Sequence, residues 1–304
     1  MRTITIMISL GLLVSTACLE PDRARYDPKN PNKTSLNGYT YHYDGSSIPG
    51  ATIKLRQLGE VKYSTVSDNE AWFEFVDINP GVYEVYGEAE HYATQIDTAY
   101  LEAGSRETID FYFQKLHFDD ETLGTQEPFG FSRLFGTWAV QEDLGDPDEH
   151  SIPNVYNALH DGAVSPFALS ALRDTLDNFW IGVNIKVNSA SVNWHAGLML
   201  RYQNDSNYYL VQFTPDAISL MKMRNGSLTE LESNTYNFVP NRWYRVSAYL
   251  DEKHIKVYVN YNEVIEKWDD SSPLYSGIAG LWLHTSEPTG SATANFDDVH
   301  ISPQ

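Results

Sequence analysis

Residues 196–213, AGLMLRYQNDSNYYLVQF, predict two neighbouring β-strands, 196–202 and 207–214. In the first, Leu198 and Leu200 share one face, which has the apolar character of a core. Because side chains alternate along a strand, His195 and Arg201 are expected on the opposite face. One buried face and one polar face on each strand is the pattern of a sheet in a β-sandwich.

The same pattern extends to both sides of this stretch. Further strands are predicted over residues 179–187, 217–224, 243–250, 255–261, 263–268, 278–284 and 292–301. Asn225-Gly226 is a strong hairpin signal, and only residues 166–176 suggest a short surface helix. Residues 116–304 are too many for a simple immunoglobulin-like sandwich and have the number expected of a jelly roll.

Composition supports strands and excludes some functions. The chain has 304 residues with 41 acidic and 21 basic side chains, a formal charge of −20. Phosphate binding needs a basic surface, so no nucleic-acid partner is expected. Aromatic residues make up 13% of the chain and charged residues only 20%, a balance that favours strands. The sequence predicts an all-β protein, a small immunoglobulin-like sandwich followed by a larger jelly roll.

The first residues are typical of an export signal. Arg2 precedes an apolar run, residues 4–14, which is too short to span a bilayer but fits a signal-peptide core. Small residues then lead to Cys18, the only cysteine, in a pattern that resembles the lipobox of bacterial lipoproteins. The resemblance implies a signal peptide over residues 1–17 and a lipid anchor on Cys18. Leu19 after the cysteine resembles the pattern of outer-membrane retention.

An ordinary secretory signal that leaves Cys18 free is the alternative. In either case residues 18–34, which contain three prolines and many charges, are expected to form a tether.

Residues 35–115 form the first predicted unit, with strands over residues 38–43, 51–58, 63–66, 72–76, 81–90, 94–101 and 107–113. Its motifs are PGATI (49–53), WFEF (72–75), NPGVY (79–83) and EHY (90–92). In this order they resemble the carboxypeptidase regulatory-like domain, an immunoglobulin-like or transthyretin-like sandwich. The resemblance implies a spacer or docking module rather than a peptidase.

Residues 116–304 carry a second set of motifs: FDD (118–120), GLMLRY (197–202), NYYL (207–210), NRWY (241–244), IKVYVN (255–260), GLW (280–282) and FDDV (296–299). Their order resembles the concanavalin A-like lectin/glucanase superfamily, in its laminin-G-like and 3-keto-disaccharide hydrolase-like branches. The resemblance implies a jelly roll and is less specific for any activity.

Strand parity gives a candidate ligand-binding face. Leu281 and Leu283 have the character of core residues, so Trp282 and His284 point the other way. Arg245 and Tyr249 likewise share a face opposite the apolar residues of their strand. Flat rings stack on the C–H faces of sugars, and planar polar groups hydrogen-bond vicinal hydroxyls. The predicted carbohydrate-binding residues are His195, Arg201, Tyr208, Gln212, Trp282 and His284. The alternative is that these side chains simply lie under loops.

Two pairs of aspartates suggest a structural calcium ion. Asp119 and Asp120 begin the second unit, and Asp297 and Asp298 end it. First and last strands are neighbours in jelly rolls, so the four carboxylates could converge on one hard, oxygen-ligated cation. Alternatively, one aspartate of each pair faces water and the other caps a turn.

No catalytic motif stands out. Glycoside hydrolysis needs two carboxylates held close together, and the densest acidic stretch, residues 141–150 (QEDLGDPDEH), has the composition of a solvated loop. The preferred function is an exported lipoprotein that binds a carbohydrate, with a neutral or cation-bridged glycan favoured by the acidic surface. A hydrolase of the 3-keto-disaccharide type and a laminin-G-like module with protein partners are the alternatives.

Overall fold

The structure, a computed structural model, describes residues 33–43, 45–145, 149–162, 164–190, 193–287 and 289–303. The predicted signal peptide, Cys18 and the tether up to residue 32 lie outside these ranges. The described residues include no helix that is long and apolar enough to cross a membrane.

The first sandwich has eight strands: β1 (Thr34–His42), β2 (Thr52–Gln57), β3 (Glu60–Val66), β4 (Trp72–Ile78), β5 (Gly81–Glu88), β6 (Gln95–Leu101), β7 (Arg106–Thr108) and β8 (Phe111–Phe113). One sheet has the order β4-β1-β7, with β8 also paired to β1, and the other has the order β3-β2-β5-β6. Leu36, Ile53, Phe73, Val85 and Phe113 are buried between them. The expected small sandwich is confirmed.

The strand predicted over residues 107–113 is divided into β7 and β8. A Cβ atom at Gly38 would collide with the carbonyl oxygen of Ile109, so glycine lets the chain pass close to β1 at the break. The side chain of Asp110 then replaces a backbone acceptor, because its Oδ1 accepts a hydrogen bond of 2.8 Å from the amide of Tyr39. The ladder is thus interrupted without leaving that amide unsatisfied.

The second sandwich begins after a two-residue strand, β9 (Lys115–Leu116). Its strands are β10 (Phe131–Phe135), β11 (Thr137–Glu142), β12 (Asn154–Asp161), β13 (Ala168–Leu176), β14 (Phe179–Ala190), β15 (Trp194–Asn204), β16 (Asn207–Phe213), β17 (Ala217–Arg224), β18 (Ser227–Thr235), β19 (Tyr244–Asp251), β20 (His254–Val259), β21 (Asn262–Trp268), β22 (Gly277–Thr285) and β23 (Ser291–Pro303).

Two antiparallel sheets enclose the core of this unit. The seven-stranded sheet has the order β10-β13-β22-β15-β16-β17-β18, and the eight-stranded sheet has the order β11-β12-β23-β14-β19-β20-β21, with β9 also paired to β23. The chain passes repeatedly from one sheet to the other, which is the jelly-roll arrangement. Trp138, Tyr156, Phe179, Tyr209 and Phe296 fill the space between the sheets. The predicted fold class, all-β with a small sandwich followed by a jelly roll, is confirmed.

The helix suggested over residues 166–176 is wrong. This segment is the strand β13, which pairs with β10 on one edge and β22 on the other. Its first five residues, Ala168 to Leu172, are all buried. Tertiary pairing on both edges therefore overrides the helical propensity of the alanine and leucine residues.

The two sandwiches are joined through β9. Leu116 pairs with Val299 of β23 and also forms a bridge to Tyr92 of the first sandwich. The Tyr43 hydroxyl adds a hydrogen bond of 2.6 Å to Asp174 of β13. The boundary expected between residues 115 and 116 thus falls inside a strand that contacts both units.

Arg201 does not lie on the open face that alternation predicts. Between Met199 and Tyr202 the chain has one residue more than the facing segment of β22, so the strand bulges and Arg201 adopts φ 47°. The guanidinium is completely buried. It donates hydrogen bonds to the carbonyl oxygens of Asp177, Glu252 and Leu274 and to Oδ1 of Asn178. Arg201 thus ties together loops at one end of the sandwich, and its predicted role on a ligand-binding face is wrong.

Replacing Arg201 by leucine should lower the free energy of unfolding by roughly 3–5 kcal/mol, because several buried carbonyl oxygens lose their donor and each such loss costs about 1–3 kcal/mol. Urea denaturation of the two proteins measures this loss. Arg224→Leu is the matched control, because the half-buried Arg224 makes one hydrogen bond of 3.3 Å to Asn207. The control should cost less than about 1 kcal/mol, and equal losses in the two variants would contradict this role.

Candidate functional site

Five of the six predicted ligand-binding residues lie on the outer face of the seven-stranded sheet. His195 on β15 is directly opposite His284 on β22. Gly197 lies between Gln212 and Trp282 on its two neighbouring strands. Tyr208 shares the face of Gln212 on β16. Strand parity therefore identifies the face correctly for every predicted residue except Arg201.

This face is not an open groove around Trp282. Only 5% of Trp282 and 6% of Tyr208 is exposed, and both belong to a small apolar cluster with Leu169, Met199 and Leu210. Partly buried side chains pack against this cluster: Phe135, Phe167, Tyr202, Met221 and Met223. Neither Trp282 nor Tyr208 thus offers a ring face to a sugar, and the expectation of exposed rings at these positions is wrong.

Three imidazoles lie together at one end of the sandwich, His195 and His284 on this face and the buried His160 on β12 of the other sheet. The ring centroid of His284 is 5.6 Å from that of His195 and 5.3 Å from that of His160. Burial, followed by the neighbouring His160 and His195, lowers the pKa of His284 to about 4. Burial also lowers the pKa of His195. The environment therefore favours the neutral form of both rings.

The four predicted calcium ligands do not form one carboxylate cluster. Asp119 Oδ1 accepts the amide of Asn154 at 3.0 Å, and Asp120 Oδ2 accepts that of His91 at 3.1 Å. No group of three or more histidine, cysteine, aspartate or glutamate side chains in the described ranges is placed to hold a metal ion. The expected convergence is wrong in the described residues, whereas calcium binding itself stays a prediction.

A large cavity lies on the outer face of the other, eight-stranded sheet. Its volume is about 650 Å³. Strands β14, β19 and β23 supply its floor, β9 supplies Lys115, and the turn between β20 and β21 supplies Asn260 and Tyr261. The lining residues are Lys115, Glu149, His150, Ser151, Asn184, Arg242, Trp243, Arg245, Asn260, Tyr261, Asp298 and His300.

A second hollow of about 440 Å³ continues along the same face, lined by Trp180, Tyr249, Lys256, Tyr258, His300 and Ser302. His300 lines both depressions, so they adjoin. We call the two together the β14–β23 groove. The rings of Trp180 and Tyr258 lie 4.9 Å apart in the second hollow.

A β-bulge in β23 builds the cavity floor. Gly182 of β14 pairs with His300 and Asn184 pairs with Asp297, so Asp298 and Val299 together face the single residue Val183. Asp298 is the bulged residue and adopts a φ of 51°. The bulge breaks the alternation, and both aspartates contact residues that line the same cavity.

Asp298 is the centre of a hydrogen-bonded cluster in the cavity. Its carboxylate lies 2.9 Å from Lys115 Nζ and accepts a hydrogen bond of 3.1 Å from Asn184 Nδ2. The guanidinium of Arg245 donates to the carbonyl oxygen of Asp298 at 2.6 Å. Burial, with the charges of Arg245 and Lys115, lowers the pKa of His300 to about 4. The cluster fixes cationic and amide groups at the bottom of the cavity.

Asp297 lies beneath the cavity wall. Its Oδ2 accepts a hydrogen bond of 2.9 Å from the Ser151 hydroxyl and lies 3.3 Å from Nδ1 of His150. Burial, with a smaller effect of the Asp298 charge, raises the pKa of Asp297 to about 6. Burial alone would lower the pKa of His150, but the hydrogen bond and charge of Asp297 raise it overall. The acidic stretch 141–150 is thus not simply a solvated loop, since His150 is buried.

Trp243 forms a side wall and is almost completely buried. The His150 ring lies 4.5 Å from it, and Lys186 Nζ lies 4.8 Å from its ring centroid. Lys186 also forms an ion pair with Asp143, whose Oδ2 accepts a hydrogen bond of 2.8 Å from Asn295. Trp243, Lys186 and Asp143 thus form a row of contacting side chains at one end of the cavity.

Sequence reasoning missed most of this groove, although a signal for it is present. Residues 179–187 alternate between apolar side chains and Trp180, Gly182, Asn184 and Lys186, which is the same pattern that identifies the other face. Strand parity places Arg245 and Tyr249 correctly on a common polar face. Residues such as Glu149, Ser151 and Arg242 lie in loops, where no periodicity marks them.

No protein-family model matches the sequence, and a comparison with curated proteins gives no match. Among solved structures, the chain is similar to carbohydrate binding module CBM66 from Bacillus subtilis, with 20% identity, a TM-score of 0.45 and coverage of 57% of this chain and 95% of that one. A putative glycosyl hydrolase from Parabacteroides distasonis has 13% identity and a TM-score of 0.39, covering 59% of this chain and 91% of its own. The cellulose induced protein Cip1 has 9% identity and a TM-score of 0.45, covering 61% and 93% respectively. At these low TM-scores, none of the similarities decides what this chain does.

The raised pKa of Asp297 predicts a pH-dependent loss of stability. A carboxyl group that binds its proton more tightly when folded stabilises the fold fully below its unfolded pKa, and this contribution is lost as the pH rises through about 6. Asp297→Asn keeps a neutral acceptor for Ser151. The Tm of the variant relative to the parent should therefore increase as the pH rises from 4 through 6, and the loss of the Asp297 charge beside His150 acts in the same direction. A Tm difference that does not change over this interval would show that the carboxyl is not held neutral by the fold.

Proposed function

We propose that the second sandwich binds a carbohydrate in the β14–β23 groove. The observation that carries the proposal is the combination of planar polar side chains and accessible rings in one continuous depression. Arg242, Arg245 and Asn260 supply guanidinium groups and an amide, which match pairs of neighbouring hydroxyls. Asn184 holds the floor in place through Glu149 and Asp298. A small number of placed polar groups among aromatic side chains is typical of ligand pockets.

Accessible rings lie along the groove beside these polar groups. Tyr261, at the tip of the β20–β21 turn, is 84% exposed. Trp180, Tyr249 and Tyr258 are partly exposed in the second hollow. Rings in such positions are available to stack on the C–H faces of a sugar.

The charges inside the groove favour a neutral ligand. Lys115, Arg242 and Arg245 line the main cavity together with the acidic Glu149 and Asp298. Lys115 is already paired with Asp298 at 2.9 Å. Because these charges nearly cancel in a chain of −20, neither a strongly anionic nor a strongly cationic glycan is favoured.

A glycan-active enzyme, for example of the 3-keto-disaccharide hydrolase type, is the second candidate. It is favoured by the convergence of titratable groups, namely His150, Asp297 and Asp298, at one cavity wall. Asp297, however, is completely buried beneath His150 and Ser151, so its carboxyl has no open path to a ligand. Binding is therefore the preferred function, and the absence of new reducing ends on incubation with a bound glycan would support it.

We also propose that the chain is an exported lipoprotein attached through Cys18, in the outer membrane. The apolar run 4–14 and the small residues before Cys18 support this proposal. The first sandwich would then act as the spacer between the tether and the glycan-binding unit.

Tyr261→Ala should weaken binding to a glycan found on an array by about tenfold, equivalent to roughly 1.4 kcal/mol, because it removes an accessible stacking surface. Calorimetric titration of the parent and the variant measures the difference. Tyr275→Ala is the matched control, since Tyr275 is also more than half exposed but lies outside the groove. Unchanged affinity in Tyr261→Ala, or an equal loss in the control, would argue against the groove.

Cys18→Ser should move the protein from the detergent-rich to the aqueous phase in Triton X-114 partitioning of producing cells, because the lipid attachment site is lost. Leu19→Ser, which keeps the cysteine, is the control and should stay in the detergent-rich phase. A parent protein that partitions into the aqueous phase would refute the anchor.

A further inference from the structure

The histidine pair His195 and His284 on the seven-stranded sheet has no part in the proposed glycan site. The two residues are direct cross-strand partners on β15 and β22, with their rings 5.6 Å apart on the outer face. Directly opposed side chains of neighbouring strands are close enough to share one ligand.

Each of the two rings has one nitrogen without a partner. The Nδ1 atoms of His195 and His284 are both buried, and no described residue hydrogen-bonds either of them. Buried polar atoms normally have a partner. Two such orphaned atoms on neighbouring rings therefore point to a ligand that binds both.

An acceptor lies beside each ring. The carbonyl of Pro166 opposes the effect of burial on the pKa of His284, and the side chain of Gln212 does so for His195. Because Nδ1 is unpartnered in both rings, we assign these acceptors to Nε2. A ligating histidine almost always donates its second N–H to a carbonyl, carboxylate or water, which fixes the tautomer that leaves a lone pair for the metal.

The ring separation suits a single metal ion. With Zn–N bonds of about 2.0–2.1 Å and the ring centroid roughly 1 Å beyond the nitrogen, two imidazoles on one tetrahedral ion have centroids roughly 5 Å apart. The observed 5.6 Å needs only a small adjustment. Imidazole nitrogen is a ligand that zinc and copper prefer, whereas calcium and magnesium prefer oxygen.

We propose that His195 and His284 bind a transition-metal cation of the zinc or copper class through their Nδ1 atoms. His160, the third ring, is not a ligand, because its Nε2 contacts the Ser165 carbonyl at 2.8 Å and its Nδ1 accepts the amide of Thr285 at 3.0 Å. The protein thus supplies two ligands, and water or an exogenous donor completes the coordination sphere. This site is separate from the β14–β23 groove and does not depend on its function.

Calorimetric titration of the untagged chain with zinc chloride tests this proposal. The expected result is one zinc ion per chain, with affinity at least roughly tenfold weaker in His195→Gln and in His284→Gln. His254→Gln is the matched control and should keep the parent affinity, because that ring is stacked on Trp268, 4.1 Å away, on the other sheet. Absence of zinc binding by the parent, or the same affinity in all three variants, would overturn the proposal.

A second measurement on the unaltered protein covers the case in which a variant fails to fold. In long-range ¹H–¹⁵N spectra, zinc should shift the Nδ1 resonances of two histidines and leave their Nε2 protons in place. Shifts confined to other histidines, or to none, would also overturn the proposal.

Discussion

The pairing of β23 with β14, together with its bulge at Asp298, is the constraint on which the candidate site depends. β23 pairs with β14 along one edge and with β12 and β9 along the other. It therefore joins the centre of the eight-stranded sheet to the junction with the first sandwich. Because two residues of β23 face one of β14, Asp297 and Asp298 both contact the cavity lining, and Lys115 of β9 reaches the second carboxylate. A regular ladder would have sent one of them to the opposite face.

Buried polar groups close one end of the jelly roll. Arg201 binds four acceptors there, and Lys222 pairs with Asp269 at 2.7 Å, while the Tyr209 hydroxyl donates to the same carboxylate at 2.5 Å. The Tyr209 oxygen also accepts the amide of Leu274 at 3.0 Å. Such networks are costly to disrupt, because removing any one member leaves a buried partner without a hydrogen bond. They hold the loops at that end of the sheets, so that the outer faces keep a fixed shape.

Alternation along strands predicts most of the fold and one of the two outer faces. It places His195, Gln212 and Trp282 on a common face, because the strands that carry them are regular there. It fails at Arg201 and at Asp298, since a bulge adds one residue and reverses the parity of the residues after it. Alternation does not predict which side chains on a face are accessible. Trp282 is on the expected face, but the rings of Phe135 on β10 and Phe167 before β13 pack against its cluster. The sequence predicts neither β10 nor β13 as a strand. The contacts of Lys186 with Asp143 and Trp243 join strand β14 to residues in distant loops. No local sequence pattern predicts such contacts.

The central claim is that a glycan binds the eight-stranded sheet in the β14–β23 groove. Hydroxyl-radical footprinting of the chain, with and without a glycan that it binds, tests this claim most directly because it reports on individual side chains. We predict protection of Tyr261, Tyr258 and Trp180, with unchanged oxidation of Tyr202 and Met223 on the seven-stranded sheet. Protection of Tyr202 and Met223 with none in the groove would contradict it.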